Sequence, residues 1–439
     1  MRRICLTLPT NRACPDTIAA IGEEAAYAAG HFDVEAHLLI LDSSDPATFA
    51  AHARAVQALP DVPRVVVHHL DEAAQRAFLR RVIAAAQVAK PELMLDLMLP
   101  DGLSYGACTN RAFLVAAALG CESVHRRDSD SRYQTRDGEP VFPVHHELDS
   151  LGRPAADAAP GVTENTLAPR HAHRRVAMVG SSFVGELSVD IGEIRRLDPD
   201  VYHDVVSLWA PDDWSESQKR DLVEDSFRGA GTEPFVSDHT TLGLIDPMRV
   251  DMCNISFHGV QESVPLPPAT DTIGSDYFLI HLVHDAALPG VLHNRNIVNY
   301  YTAERRTDAG FLAYQTRFVK FFLSMLYFNH IYDRMTAAGE ALLDEHGQVR
   351  PDVIAGFARE SALLDQAGNH RRLDRIDAAY RSLGGRYADC ADHLATRRER
   401  LLDEARRDIE DFALLTEAWQ PLVRASKDAG PTLTAGHPA

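Results

Sequence analysis

Ser123-Val124-His125-Arg126-Arg127-Asp128-Ser129-Asp130-Ser131 is the stretch on which the reading of this chain turns. A short strand-like step, Ser123-Val124-His125, runs into two carboxylates spaced two residues apart. Carboxylates in that spacing, just past the end of a strand, can both approach one divalent ion. Hard Mg²⁺ or Mn²⁺ takes oxygen ligands and keeps positions open for diphosphate oxygens. Asp-x-Asp alone is a weak signal, since most copies are solvated loop residues. The flanking sequence therefore decides.

Toward the N-terminus, short apolar runs alternate with helix-forming stretches. Residues 4–8, 37–41 and 64–68 read as strands, and 93–99 is a weaker run of the same kind. Residues 16–29, 47–58, 72–88 and 110–119 read as helices. That alternation predicts βαβ units: an α/β fold with a mostly parallel, Rossmann-like sheet flanked by helices. Downstream, Thr135-Arg136-Asp137-Gly138-Glu139-Pro140 is a turn signal, and 141–145 is expected to pair back as a hairpin strand. Residues 155–169 read as a loop and 175–179 as a strand. From about 303 the pattern is helical, with a broad aromatic face over 311–335 that includes Phe318, Phe321, Phe322, Tyr327 and Phe328; such a face is more often core than ligand box. The expected organisation is a nucleotide-binding and catalytic domain over 1–302, a helical appendage over 303–425 and a disordered tail over 426–439. The appendage is expected to cover an acceptor site or to form a homodimer interface.

Composition narrows the partners. The 439 residues carry 63 acidic against 44 basic side chains, a formal net charge of −19. Such a chain repels nucleic acid and anionic membrane, so an anionic substrate needs a local cationic pocket or a bound metal. The six cysteines, Cys5, Cys14, Cys108, Cys121, Cys253 and Cys390, are scattered without a C-x-x-C pair, which argues against a disulfide framework. No run is apolar enough for a signal peptide or a transmembrane span, and a cytoplasmic protein is expected.

A resemblance emerges from the ordered set of motifs. Gly102-Leu103-Ser104-Tyr105-Gly106-Ala107-Cys108-Thr109-Asn110-Arg111 leads into an Ala-rich helix that ends at Gly120, before the acidic motif. Leu8-Pro9-Thr10-Asn11-Arg12 closes the first strand and Leu41-Asp42-Ser43 the second. Together these resemble the GT-A glycosyltransferases, the nucleotide-diphospho-sugar transferases, over roughly the first 130 residues. The resemblance implies a hexosyltransferase-like enzyme using Mn²⁺ or Mg²⁺, with a nucleotide-diphosphate sugar as donor and a small-molecule hydroxyl or amine as acceptor. It implies nucleotide and donor contacts at Pro9, Thr10, Asn11, Arg12, Asp42, Ser43, Tyr105, Asn110, Arg111, Asp128 and Ser129. Gly180 would let backbone approach the donor sugar, with Asp190 near its hydroxyls, and Arg295 and Arg305 would pair with phosphate. Asp128, Asp130 and His293 are the expected metal ligands. Asp276, in Gly274-Ser275-Asp276-Tyr277-Phe278, is the expected acceptor base. His125-Arg126-Arg127 departs from the pattern, since the family stays apolar up to the motif.

Two rivals remain open. A nucleotidyltransferase shares the sheet and metal chemistry but needs a Gly-rich first loop, which Pro9-Thr10-Asn11-Arg12 lacks. A non-catalytic protein of the same fold would not be expected to keep Asp128, Asp130, Asp276 and His293 together.

Overall fold

The structure, a computed structural model, describes residues 1–187, 191–300 and 302–430; Asp190 and residues 431–439 of the expected tail lie outside them. In chain order the strands are β1 (Arg2–Thr10), β2 (Val34–Asp42), β3 (Val65–Leu70), β4 (Ser123–Arg127), β5 (Ser131–Tyr133), β6 (Thr135–Arg136) and β7 (Glu139–Pro140). They continue with β8 (Glu164–Asn165), β9 (Met178–Gly180), β10 (Phe183–Gly185), β11 (Thr240–Gly243), β12 (Asn254–His258), β13 (Gly290–His293) and β14 (Ile297–Asn299). Among the described residues the main sheet has nine strands in the order β3-β2-β1-β4-β12-β9-β13-β11-β8. Strands β1 to β4 are mutually parallel, β12 runs against both its neighbours, and β9 and β13 are parallel again. This is the mixed α/β, mostly parallel architecture that the alternation of apolar runs and helices predicts.

The pleat explains why both faces are covered. Along β1, Ile4, Leu6 and Leu8 pack with Ile18, Ile21 and Ala25 of helix Pro15–His31, while Cys5 joins the cluster on the opposite face. That opposite cluster is the larger. It joins Leu39 and Leu41 to Phe113 and Leu114 of helix Tyr105–Ala118, and onward to Phe318, Phe322, Phe412 and Trp419. The last four belong to the long helices Asp308–Ala338 and Arg398–Ala429. Helices after 303 therefore share one apolar core with the sheet. Trp419 adds a directed contact: its indole N–H donates to the Gln261 carbonyl at 2.9 Å.

Two local expectations are corrected. Residues 93–98 lie in a helix, Pro91–Met98, with Leu99 just past its end, because Pro91 pre-sets the first turn and Met94, Leu95, Leu97 and Met98 are all buried; a buried helical segment and a buried strand look alike in a short apolar run. The hairpin at 135–140 is present, but it closes on β7, with Asp137 and Gly138 at positive φ. Of residues 141–145 only Val141 continues it, its N–H donating to the Gln134 carbonyl at 2.8 Å. Pro143 ends the extended segment and helix Val144–Ser150 begins, its first N–H donated to Glu24 at 3.0 Å. No described helix is long and apolar enough to cross a membrane.

Candidate active site

The central strand β4 carries three consecutive buried polar side chains, His125, Arg126 and Arg127. Alternation along the strand separates them. His125 and Arg127 face one way and share Glu147: His125 Nδ1 lies 2.7 Å from Glu147 Oε2, and Arg127 donates to both Glu147 oxygens at 3.1 and 3.0 Å. Arg127 also holds both oxygens of Glu24, at 3.0 and 2.8 Å. Burial would raise the Glu147 carboxyl, but Arg127 and His125 bring it well below the usual carboxylate range. Arg126 points the other way. It donates to Asp276 at 2.6 Å and pairs with Asp128 at 3.1 Å.

Arg126 thus stands at the floor of a cavity of about 600 Å³. Pro9, Thr10, Asn11 and Arg12 come from the end of β1, Ser43 from the end of β2, Tyr105 from the first turn of helix Tyr105–Ala118, and Asp128, Ser129 and Asp130 from the turn after β4. That turn is pinned at both ends, because β4 stops at Arg127 and β5 starts at Ser131, paired with β14. Arg12 reaches Asp130 at 3.1 Å and Arg305 reaches it at 3.0 Å. Asp276, in the short turn before helix Phe278–Asp285, completes the ring with Asp251, whose Oδ2 accepts from Tyr277 at 2.5 Å. Burial, with Asp130, Asp276 and Asp251 close by, raises the Asp128 carboxyl above its ordinary range although Arg126 opposes it. The arrangement gathers carboxylate oxygens and guanidinium groups in one concave site, the composition that a divalent ion and a diphosphate require.

Of the residues singled out by sequence, the structure brings Pro9, Thr10, Asn11, Arg12, Ser43, Tyr105, Arg111, Asp128, Ser129, Asp130, Asp276 and Arg305 to this cavity. Five others are engaged elsewhere. Asp42 turns inward, where His52 and His69 ring nitrogens lie 2.7 and 2.9 Å from Oδ2 and Ser44 meets Oδ1. Asn110 clamps the Leu266 backbone, N–H and C=O both at 2.8 Å. Gly180 packs under Val250. Arg295 makes a bidentate pair with Asp238 at 2.7 and 2.9 Å. His293 holds its ring tilted against that of His146, centroids 5.7 Å apart, and accepts the Arg295 N–H, and burial pushes its pKa down to about 3. His293 is not part of the cavity wall, so of the three expected metal ligands only the carboxylates Asp128 and Asp130 line the cavity. Even Arg111, at the wall, spends its donors on Gln75 and the Met98 carbonyl.

Sequence reasoning missed Arg126, Asp251 and the aromatic part of the wall, Trp209, Phe227, Phe321, Phe328 and Tyr332. For Arg126 the signal was there: a charge inside a strand pattern that should stay apolar needs a partner inside the fold. Among the described residues, three candidate ligand atoms fall within 4.8 Å of one another at Asp42–His52–His69 and at His145–His146–Asp149, neither containing Asp128.

Over residues 2–435 the chain matches a family of unknown function, DUF6271. The chain belongs to that family. No curated protein matches its sequence. Among solved structures it is similar to the mannosyltransferase PcManGT from Pyrobaculum calidifontis in complex with GDP-Man and Mn²⁺, with 14% identity and a TM-score of 0.37 over 96% of this chain and 88% of that one. It is similar to a mycobacterial protein with 16% identity and a TM-score of 0.34, covering 74% of each chain. Mouse xyloside xylosyltransferase 1, in its apo form, gives 15% identity and a TM-score of 0.19 over 45% of this chain and 59% of that one.

Proposed function

We propose that this member of the family is a metal-dependent glycosyltransferase that moves a sugar from a nucleotide-diphosphate donor to a hydroxyl of a small-molecule acceptor. The observation that carries the reading is the convergence on one cavity of the β1 and β2 ends, the Asp128-Ser129-Asp130 turn and Asp276. Strand ends meeting the first turn of a helix make a nucleotide site, and the arginines Arg12 and Arg305 beside Asp130 supply cationic contacts for phosphate. The donor set fits Mg²⁺ or Mn²⁺: the ligands at hand are all oxygens, and the crowding of like charges around Asp128 is relieved by a divalent cation. Asp128 and Asp130 would hold the ion, which when bound supplies Lewis-acid stabilisation of the leaving diphosphate. Arg126 fixes Asp276 through Oδ2. Oδ1 accepts no hydrogen bond among the described residues and is free to take the acceptor's proton.

The test is calorimetry with GDP and UDP, each with and without Mn²⁺. One of the two should bind in a metal-dependent way. Asp128→Ala and Asp130→Ala should each remove that metal dependence and leave a folded protein, since both sit in a turn after the strand. Affinity indifferent to Mn²⁺ and to both substitutions would overturn the reading.

A further inference from the structure

Beyond Asp276 the cavity changes character. Its wall there is built from Trp209, Phe227, Phe321, Phe328, Tyr332 and His281. The rings pack tilted, edge to face and stacked on one another along this wall. Trp209 meets Phe321 edge to face, centroids 5.3 Å apart at 77°, and lies 6.0 Å from Phe227. Tyr332 stacks on His281 at 4.0 Å and lies 5.9 Å from Phe328.

Polar groups in this part are few, and the charged ones are engaged with one another or with neighbouring side chains and backbone. Asp251 accepts from the Tyr277 hydroxyl through Oδ2 and from the Cys253 N–H through Oδ1. At the rim, Arg228 and Asp225 pair with each other at 3.3 Å. His281, the Trp209 indole N–H and the Tyr332 hydroxyl are without a hydrogen-bond partner among the described residues, and burial keeps the His281 ring neutral by lowering its pKa to about 4. A carbohydrate, with a hydroxyl on nearly every carbon, would leave most of them unpaired against these rings. A flat apolar molecule would gain area burial and edge-to-face ring contacts instead.

Geometry also fixes where such a molecule's one polar group would sit. The Gly274-Ser275-Asp276 turn lies directly on Phe321: a Cβ added at Gly274 would come 2.8 Å from its ring. Asp276 therefore marks the border between the charged and the aromatic parts of the cavity, with Arg126 behind it.

We propose that the acceptor is an aromatic alcohol of the phenol or naphthol class, its ring held by Trp209, Phe321 and Phe328 and its hydroxyl presented to Asp276. This deepens, and rests on, the glycosyltransferase reading. In the transfer, the acceptor oxygen forms the bond to the anomeric carbon and its proton passes to Asp276 Oδ1. The bond from the anomeric carbon to the diphosphate oxygen breaks, and its electron pair leaves with the nucleoside diphosphate.

The experiment is a titration of the full-length protein with 2-naphthol and, separately, with methyl glucoside, followed by calorimetry. 2-Naphthol should bind saturably and methyl glucoside should not. Phe321→Ala and Trp209→Ala should each weaken 2-naphthol at least tenfold, with GDP or UDP affinity changed less than twofold. Should Phe321→Ala fail to fold, Trp209→Ala and Phe227→Ala, both at half-buried positions, decide the matter. Binding of methyl glucoside in preference to 2-naphthol, or 2-naphthol affinity unmoved by the substitutions, would overturn the proposal. The nucleoside diphosphate arm is independent: naphthol binding without any nucleotide binding would leave the aromatic chamber standing and sink the donor reading.

Discussion

Arg127 shows how a charge can sit in the middle of a sheet. It is 1% exposed and holds two carboxylates, Glu24 and Glu147, each through two hydrogen bonds. Removing it would strand both. Arg127→Met should therefore cost about 3–5 kcal/mol of stability, read by urea denaturation, the range for breaking a buried ion pair. At Asp276 the expected loss is kinetic instead. Asp276→Asn keeps an oxygen for Arg126 but removes the base, so turnover should fall by about 10²–10⁴ with donor affinity nearly unchanged. Collapse of donor binding would assign Asp276 to the donor side. A third residue-scale effect is pH-dependent. His68 is pushed down to about 4 by burial and by His37, whose ring nitrogen lies 3.0 Å away; burial lowers His37 too, although Glu35 pulls it up. Folded His68 binds its proton more weakly than the unfolded chain does. Between about pH 4 and the unfolded value near 6.5 the unfolded state holds more protons, so stability rises with pH through that window and is lost on acidification. His68→Gln keeps a hydrogen-bonding group without the titration. The stability difference between pH 7 and pH 5 should shrink by on the order of 1 kcal/mol, discounted for partial exposure, in paired denaturation curves.

Helix Tyr105–Ala118 is the element on which the site is mounted. Ser104 caps it, accepting the Ala107 N–H at 3.1 Å, and donates to the Pro268 carbonyl at 3.1 Å. Two residues on, Gly106 lies so close to the chain that a Cβ would fall 1.9 Å from the Pro267 carbonyl oxygen. Asn110, on the same face, clamps Leu266. Three residues of one helix end thus grip segment 266–268 and hold Tyr105 at the cavity. Gly106→Ala should force the helix off that segment, at about 1–3 kcal/mol, and weaken nucleotide binding through the displaced Tyr105. An unchanged melting temperature together with unchanged GDP and UDP binding would show that the segment yields freely.

At the scale of the whole molecule, the question is whether the helices after 303 are an appendage. They line the cavity through Tyr314, Phe321, Phe328 and Tyr332, and they bury Phe318, Phe322, Phe412 and Trp419 in the same cluster as Phe113 under the sheet. Lys320, 2% exposed, donates to the Thr270 carbonyl at 2.7 Å and pairs with Asp408 at 2.9 Å, tying both long helices to the loop before Asp276. A chain cut after residue 302 would expose that apolar face to water. It should fail to melt cooperatively, whereas the full chain should unfold in one calorimetric transition. A cooperative melt for the 1–302 fragment would establish the helices as a separable appendage.

What the sequence determined by itself was whatever depends on neighbours along the chain. Alternating apolar runs and helices specified the parallel β1–β4 part of the sheet, and the Asp128–Asp130 spacing specified a pair of carboxylates at a strand end, because strand and helix periods are local; β11, β12 and β13 carried no such signal. The Pro9–Arg12 turn, Ser43 and Tyr105 were legible for the same reason, since each stands at the end of an element whose boundaries the pattern announces. Tertiary structure alone decided the rest. Arg295 and His293 carried the right chemistry, but only the fold could say that they meet Asp238 and His146 and not the acidic turn. Pleat alternation separated Arg126 from Arg127, yet which face held the cavity depended on where Asp276 arrived from far along the chain. The aromatic helix 308–338 buries rings on most of its sides, so no periodicity could tell core from ligand wall; packing against Trp209 made Phe321 a wall residue and left Phe318 and Phe322 in the core.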